Sequence, residues 1–112
     1  MEAAAPFRYD GDAARRGPII AALERVIDPE LAVDIVNLGL VQDVASTADD
    51  TRVRLTLTSA ACPMGELIVL EVEQELAAVL GPGHRVEVSL CWTPAWAPER
   101  MSARARSLLG WE

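Results

Sequence analysis

Lysine is absent from this 112-residue sequence, so its ten basic residues are all arginines, against seventeen acidic residues and a net charge of -7. That balance excludes a general nucleic-acid binder, which needs a basic face. No apolar run approaches the ~18 residues of a membrane-spanning helix. The opening Met1-Glu2-Ala3-Ala4-Ala5 places an acid early and has no basic region ahead of an apolar stretch, so no secretory signal is expected. Histidine occurs once, His84, in a Gly-Pro-Gly-His turn where a solvated position is expected. The GxxxxGK[ST] and GxGxxG patterns are both missing, which removes those two kinds of nucleotide loop. The two cysteines, Cys62 and Cys91, stand 29 positions apart and form no CxxC. Zinc ribbons, thioredoxin-like dithiols and secreted disulfide frameworks are thereby set aside, and a reduced, cytoplasmic setting is expected.

Among the residues that are present, Cys62 followed by Pro63 is the most informative pair. It lies between a β-type run, Val53 to Thr58, and a helical run, Met64 to Leu80. Proline suits the first turn of a helix, where its missing N–H would have no intrahelical partner. Cys62 is therefore expected at or beside the helix N-terminus, facing orphan N–H groups and the positive end of the dipole. Such a setting favours the thiolate, the form that attacks and binds metals. The other reading of a free cysteine is a small buried hydrophobe, and position alone leaves both open.

Residues 1–16 lack apolar periodicity and are expected to be a mobile tail, with a single domain over 17–112. Ile19, Leu23 and Val26/Ile27 recur at helical spacing after Pro18, and Pro29 stops that helix. Leu38–Val44 reads as a buried strand and Arg52–Thr58 as a second, with Val53, Leu55 and Leu57 on one face. A helix from Met64 ends at Gly81-Pro82-Gly83. A third strand alternates through Val86, Val88 and Leu90, and a last helix from Pro98-Glu99 packs Met101, Ala105 and Leu108/Leu109. The order α-β-β-α-β-α predicts an α/β (two-layer α+β) fold with a small three-stranded mixed sheet covered by helices. Strands 1 and 2 form a hairpin; the pattern does not decide which of them strand 3 joins.

Polar residues at the strand ends are Asp28, Glu30, Asn37, Thr58, Ser59 and Cys62. If the Asp28-Pro29-Glu30 turn and the Thr58–Cys62 turn share one end of the sheet, the carboxylates would hold a metal or orient the thiol proton. Otherwise Asp28 and Glu30 are turn residues, and Thr58 and Ser59 are helix caps. Trp92 and Trp96 bracket a proline-containing loop. They read equally as anchors for a partner protein or as a satellite of the core.

Four segments in order carry a resemblance: Asp28-Pro29-Glu30; Asp34-Ile35-Val36-Asn37-Leu38-Gly39-Leu40-Val41; Thr58-Ser59-Ala60-Ala61-Cys62-Pro63; and Trp92-Thr93-Pro94-Ala95-Trp96 with Glu99-Arg100-Met101. Over about residues 18–110 the chain resembles the small metal–sulfur cluster assembly-factor domain of SufT-like proteins, PaaD, eukaryotic cytosolic iron–sulfur targeting factors and the N-terminal part of Mrp-type ATPases. The resemblance implies an α/β fold with the three loops around one site, a role in maturing iron–sulfur proteins, and Cys62 as the functional thiol. Ala32 stands where the family often has glycine, Gln42 where tyrosine is common, Ser59-Ala60 in place of Thr-Pro, and Thr93 in place of an aspartate. The stand-alone SufT-like subclass is expected, because the sequence carries neither the extra cysteine-rich segment of PaaD-type members nor an ATPase domain.

A cluster needs about four ligands, commonly thiolates, and one copy supplies two cysteines. Stable binding of iron or an iron–sulfur cluster by a monomer is therefore not expected. A transient cluster or iron contact at Cys62, completed across a homodimer or by a client's cysteines, would suffice. The resemblance implies client proteins and cluster carriers as partners, with no nucleic acid and no membrane. An adaptor or transfer role is preferred over an enzyme. The alternatives are a thiol enzyme with Cys62 as nucleophile and Asp28 or Glu30 as base, and a PaaD-like accessory protein of an oxygenase or hydroxylase system.

Overall fold

Alternation decides the central strand: Val53 and Leu55 are buried while Arg52 and Arg54 are exposed. In the computed structural model, which describes residues 7–29, 31–57, 65–93 and 95–110, nine elements follow. They are β1 (Arg8–Gly11), α1 (Ala13–Leu23), α2 (Ile35–Leu38), β2 (Val41–Ser46), β3 (Asp50–Leu55), α3 (Gly65–Leu80), β4 (Arg85–Leu90), a 3-10 turn (Pro98–Arg100) and α4 (Ala103–Leu109). The sheet order is β1-β2-β3-β4. β2 and β3 form the hairpin, and β4 joins β3 in parallel through the α3 crossover.

The α/β class therefore holds, with four strands where three were expected. Residues 8–11, placed by the sequence in a mobile tail, pair in parallel with β2, and residues 13–16 are helical. β1 carries no alternation to reveal it: of its four residues only Tyr9 packs on the core. A side chain at Gly11 would collide with the Ser46 carbonyl, so the strand's end depends on glycine. Helix α1 starts five residues before Pro18 because Asp12 caps it, its Oδ1 accepting from Ala14 N at 2.9 Å. Ala14, whose carbonyl loses a helical donor to Pro18, is exposed.

One face of the sheet takes the helices. Ile19 and Leu23 of α1 meet Ile68, Val72 and Leu76 of α3 in one cluster with the sheet residues. Along α3, Ile68, Val72 and Leu76 form the buried stripe, and Leu67 is exposed beside it. Met101, ahead of α4, and Ala105 within it are buried, but Leu108 is 65% exposed, correcting that residue's assignment to the core. The other sheet face carries charge in register: Arg8 lies opposite Asp43, and Asp43 opposite Arg54. Arg54 Nε donates to Asp43 at 2.8 Å, and this bond together with the Asp43 charge raises the pKa of an already basic guanidinium.

At the sheet end where β3 begins, Arg15 Nε donates to Ser46 Oγ at 3.0 Å, and Ser46 Oγ lies 2.8 Å from Thr51 Oγ1. Thr51 in turn meets His84 Nε2 at 2.8 Å. The lone histidine is thus half-buried and tied to β3, where the sequence placed it in solvent. Leu57, just past β3, is 4% exposed. Leu57→Ala should destabilise the fold by about 2–5 kcal/mol, measured by urea unfolding; a loss below about 1 kcal/mol would show that this position carries no core packing.

Candidate functional site

Because β2 runs against β3 and β4 runs with it, the start of β2 and the ends of β3 and β4 lie at one edge of the domain. In open α/β sheets this edge, beyond the carboxyl ends of parallel strands, is where ligand crevices form. Helix α1 starts at the opposite edge, where Arg15 meets Ser46, and its C-terminal end leads into the loop that carries Asp28.

That loop is tied to the strand exits by consecutive backbone bonds. Ile35 N donates to Val26 O at 3.0 Å, Leu40 N to Ile35 O at 3.0 Å, and Thr56 N to Leu40 O at 2.8 Å. Asp28 is buried at 3% exposure; its Oδ1 accepts from Leu31 N at 3.0 Å, and its own N–H donates to Val33 O at 3.0 Å. Asp28 therefore shapes the turn that Pro29 starts. Ala32 in that turn has φ of 59°, the left-handed region that costs a non-glycine residue about 1–2 kcal/mol. The glycine common at this position in the resembling family thus has a physical reason here. Ala32→Gly should leave the structure unchanged and stabilise it by about 0.5–1 kcal/mol, the strain relief outweighing the entropy of glycine. Thermal unfolding checks this, and a destabilisation would mean that Ala32 contributes packing the strain argument omits.

The polar groups of Asn37 are taken up by structural bonds. Its N–H and Nδ2 donate to Asp34 at 2.9 and 2.8 Å, and its Oδ1 accepts from Ser102 Oγ at 2.6 Å. It ties α2 to the cap of α4. Glu30, Thr58, Ser59 and Cys62 lie outside the described residues, so of the expected cluster the structure places Asp28 alone. The two flanks of the 58–64 segment are described, and both rest on one side chain. Leu57 precedes it, and Gly65, which follows it as the first residue of α3, sits so close that a Cβ there would lie 2.7 Å from Leu57 Cδ1. Cys62 is three positions before that helix.

Sequence reasoning missed how Thr56, Gln42 and Arg100 serve this edge. A shift in the β2–β3 register between Val41 and Asp43 puts Gln42 at a bulge. From there its Nε2 donates to Cys91 O at 3.2 Å, joining β2 to the exit of β4. Thr56 is 1% exposed, and its buried Oγ1 has no hydrogen-bond partner among the described residues. Arg100 Nε donates to Gly39 O at 2.9 Å. The two tryptophans divide: Trp92 is 44% exposed, whereas Trp96 is half-buried against the core with its Nε1 donating to Leu38 O at 2.7 Å. Cys91 follows β4 half-buried, its Sγ donating to Thr93 O at 3.1 Å. Among the described residues, no three His, Cys, Asp or Glu side chains are grouped to hold a metal. No helix among them is long and apolar enough to cross a membrane.

The profile of a family described as iron–sulfur cluster assembly protein matches residues 17–90. The chain is 48% identical over 93 residues to the Fe–S protein maturation auxiliary factor YitW of Bacillus subtilis strain 168, covering 82% of this chain and 90% of that one. It is 46% identical over 88 residues to the Fe–S protein maturation auxiliary factor SufT of Staphylococcus aureus strain USA300, covering 76% and 97%. Among solved structures, a domain of unknown function from Bacillus anthracis is similar with a TM-score of 0.80 and 44% identity, over 88% of this chain and 94% of that one.

Proposed function

The chain belongs to the iron–sulfur cluster assembly protein family, and from that membership we propose that it matures iron–sulfur proteins as an adaptor or transient carrier working through Cys62. The observation that carries this reading is the extent of the similarity: it runs over nearly the whole length of two maturation auxiliary factors. A role read from them therefore attaches to this one domain, which we take to begin at β1 and not at residue 17, because β1 pairs with β2 and α1 starts at Ala13.

Residue chemistry supports the choice of thiol. Cys62 lies just ahead of a 16-residue helix, whose N–H groups and dipole favour a thiolate. Asp28, buried in the turn at the same edge, and Glu30, Thr58 and Ser59 are proposed as its supporting groups. An iron–sulfur cluster is cargo here. Four ligands are usual and this chain brings two cysteines, so a cluster would be shared with a client, a carrier or a second copy. Trp92, exposed at the exit of β4, is proposed as a contact for those partners. The role is non-enzymatic and cytoplasmic.

Two measurements test this. In cells carrying Cys62→Ser at normal protein level, iron–sulfur enzyme activity should fall, most under iron limitation, while Cys91→Ser should do less. On the purified protein near neutral pH, Cys62 should alkylate faster than Cys91, as expected for a thiol with a pKa below the ~8.5 of free cysteine. Full enzyme activity in the Cys62→Ser strain would remove Cys62 from the mechanism.

A further inference from the structure

We propose that the free edge of β4 is a docking strand for an extended, basic segment of a partner protein, which adds a strand to the sheet beside the acidic flank of α3. β4 is six residues long, keeps unbroken register with β3 from Arg85 to Leu90 and contains no proline. The other edge strand, β1, has four residues and ends at Gly11. Shortness, bulges and proline are the usual means of blunting a sheet edge, and β4 has none of them. Its hydrogen-bond parity is set at both ends: Arg85 N donates to Asp49 O at 2.8 Å, and Cys91 N to Leu55 O at 2.7 Å. In a parallel ladder alternate residues turn both backbone groups to the same neighbour, so Val86, Val88 and Leu90 turn theirs outward. Among the described residues nothing bonds to the N–H and C=O groups of these three.

The side chains along that edge select the occupant. Val86, Val88 and Leu90 pack half-buried on the core from the helix face of the sheet, which leaves part of each for a further neighbour. Arg85, Glu87 and Ser89 stand exposed on the open face, with Glu87 3.7 Å from Arg52. Helix α3 meets α1 along one flank, where Arg25 Nε donates to Glu75 at 2.8 Å. Helical spacing gathers Glu66, Val69, Glu73 and Leu80 on the other flank, toward β4. Val69 and Leu80 are half-buried, and neither Glu66 nor Glu73 has a hydrogen bond or ion pair among the described residues. The edge therefore offers a backbone ladder, an apolar floor and two unpaired carboxylates ~10 Å apart along the helix axis. Two arginines on one face of an added strand, four positions apart, stand ~13 Å apart. Their long stems cover the difference while the methylenes lie on the apolar floor. A second copy is the poorer fit: joined through β4, it would set the same acidic flank against itself, on a chain of net charge -7. β4 also leads directly to Trp92, so a segment docked here runs along the strand that carries the exposed indole.

The probe is a fluorescent peptide, Thr-Arg-Thr-Val-Thr-Arg-Thr with both ends blocked, in which threonine favours the extended strand. It is titrated against the full chain at low salt and followed by anisotropy and by amide hydrogen exchange. Saturating peptide should slow exchange at Val86, Val88 and Leu90 and leave the β1 amides unchanged. The Glu66→Lys/Glu73→Lys chain should bind roughly tenfold more weakly or worse, because two charge-assisted bonds are lost. Asp10→Lys/Glu24→Lys, two exposed sites elsewhere with the same change in net charge, should bind like the parent. Val88→Pro, which removes one outward N–H where an edge strand accepts proline, should also weaken binding; if it does not fold, the lysine pair decides alone. Absence of protection at β4 with millimolar peptide overturns the inference, as does equal binding of Thr-Glu-Thr-Val-Thr-Glu-Thr. A dimer in sedimentation whose dissociation exposes the three amides overturns it as well, since the edge would then belong to a second copy. These readouts involve neither Cys62 nor iron nor client enzymes, so the docking edge and the proposed function fail separately.

Discussion

Leu57 lies beneath both flanks of the segment that carries Cys62. It enters that segment as the last described residue after β3, and its side chain is the surface on which Gly65 begins α3. A Cβ at Gly65 would lie 2.7 Å from Leu57 Cδ1, so a larger residue there has to displace the end of that buried side chain. The end of β3 and the start of its crossover helix thus meet at this apolar contact.

The edge around Leu57 is assembled from parts distant in sequence. Strand exits at β3 and β4 come from the parallel pair, the start of β2 from the hairpin, and Arg100, which donates to Gly39 O, from the segment ahead of α4. Gln42 links two of these parts by reaching Cys91 O from the bulge. The opposite edge is tied by Arg15, Ser46, Thr51 and His84.

Much of this fold was legible from periodicity. β3, α3 and β4 follow their apolar spacing closely, and Pro29 and Gly81-Pro82-Gly83 mark real breaks. β1 was not legible, because its pairing is a tertiary contact made by a strand with one packed side chain. α2 was overlooked although its caps were present in the sequence: Asp34 accepts from Asn37 N, and Gly39 takes the left-handed position after the helix. Leu38 to Val41 is a nearly continuous apolar run, and such a run cannot be divided between helix, turn and strand by period alone. Of the site, the Asp28 turn could be read from Pro29. The tie from Trp96 to Leu38 could not, since 58 positions separate the two and an indole N–H gives no pattern.

The central claim is that the thiol segment springs from a base as firm as the core, and native-state hydrogen exchange of the Thr56 amide tests it most directly. This amide is bonded to Leu40 O at 2.8 Å on a residue that is 1% exposed. The account predicts that it exchanges only through global unfolding, with the same free energy as the amides of Val53 and Leu55 in β3. Exchange through a separate opening of low free energy would contradict the account, because the segment would then be hinged at its root.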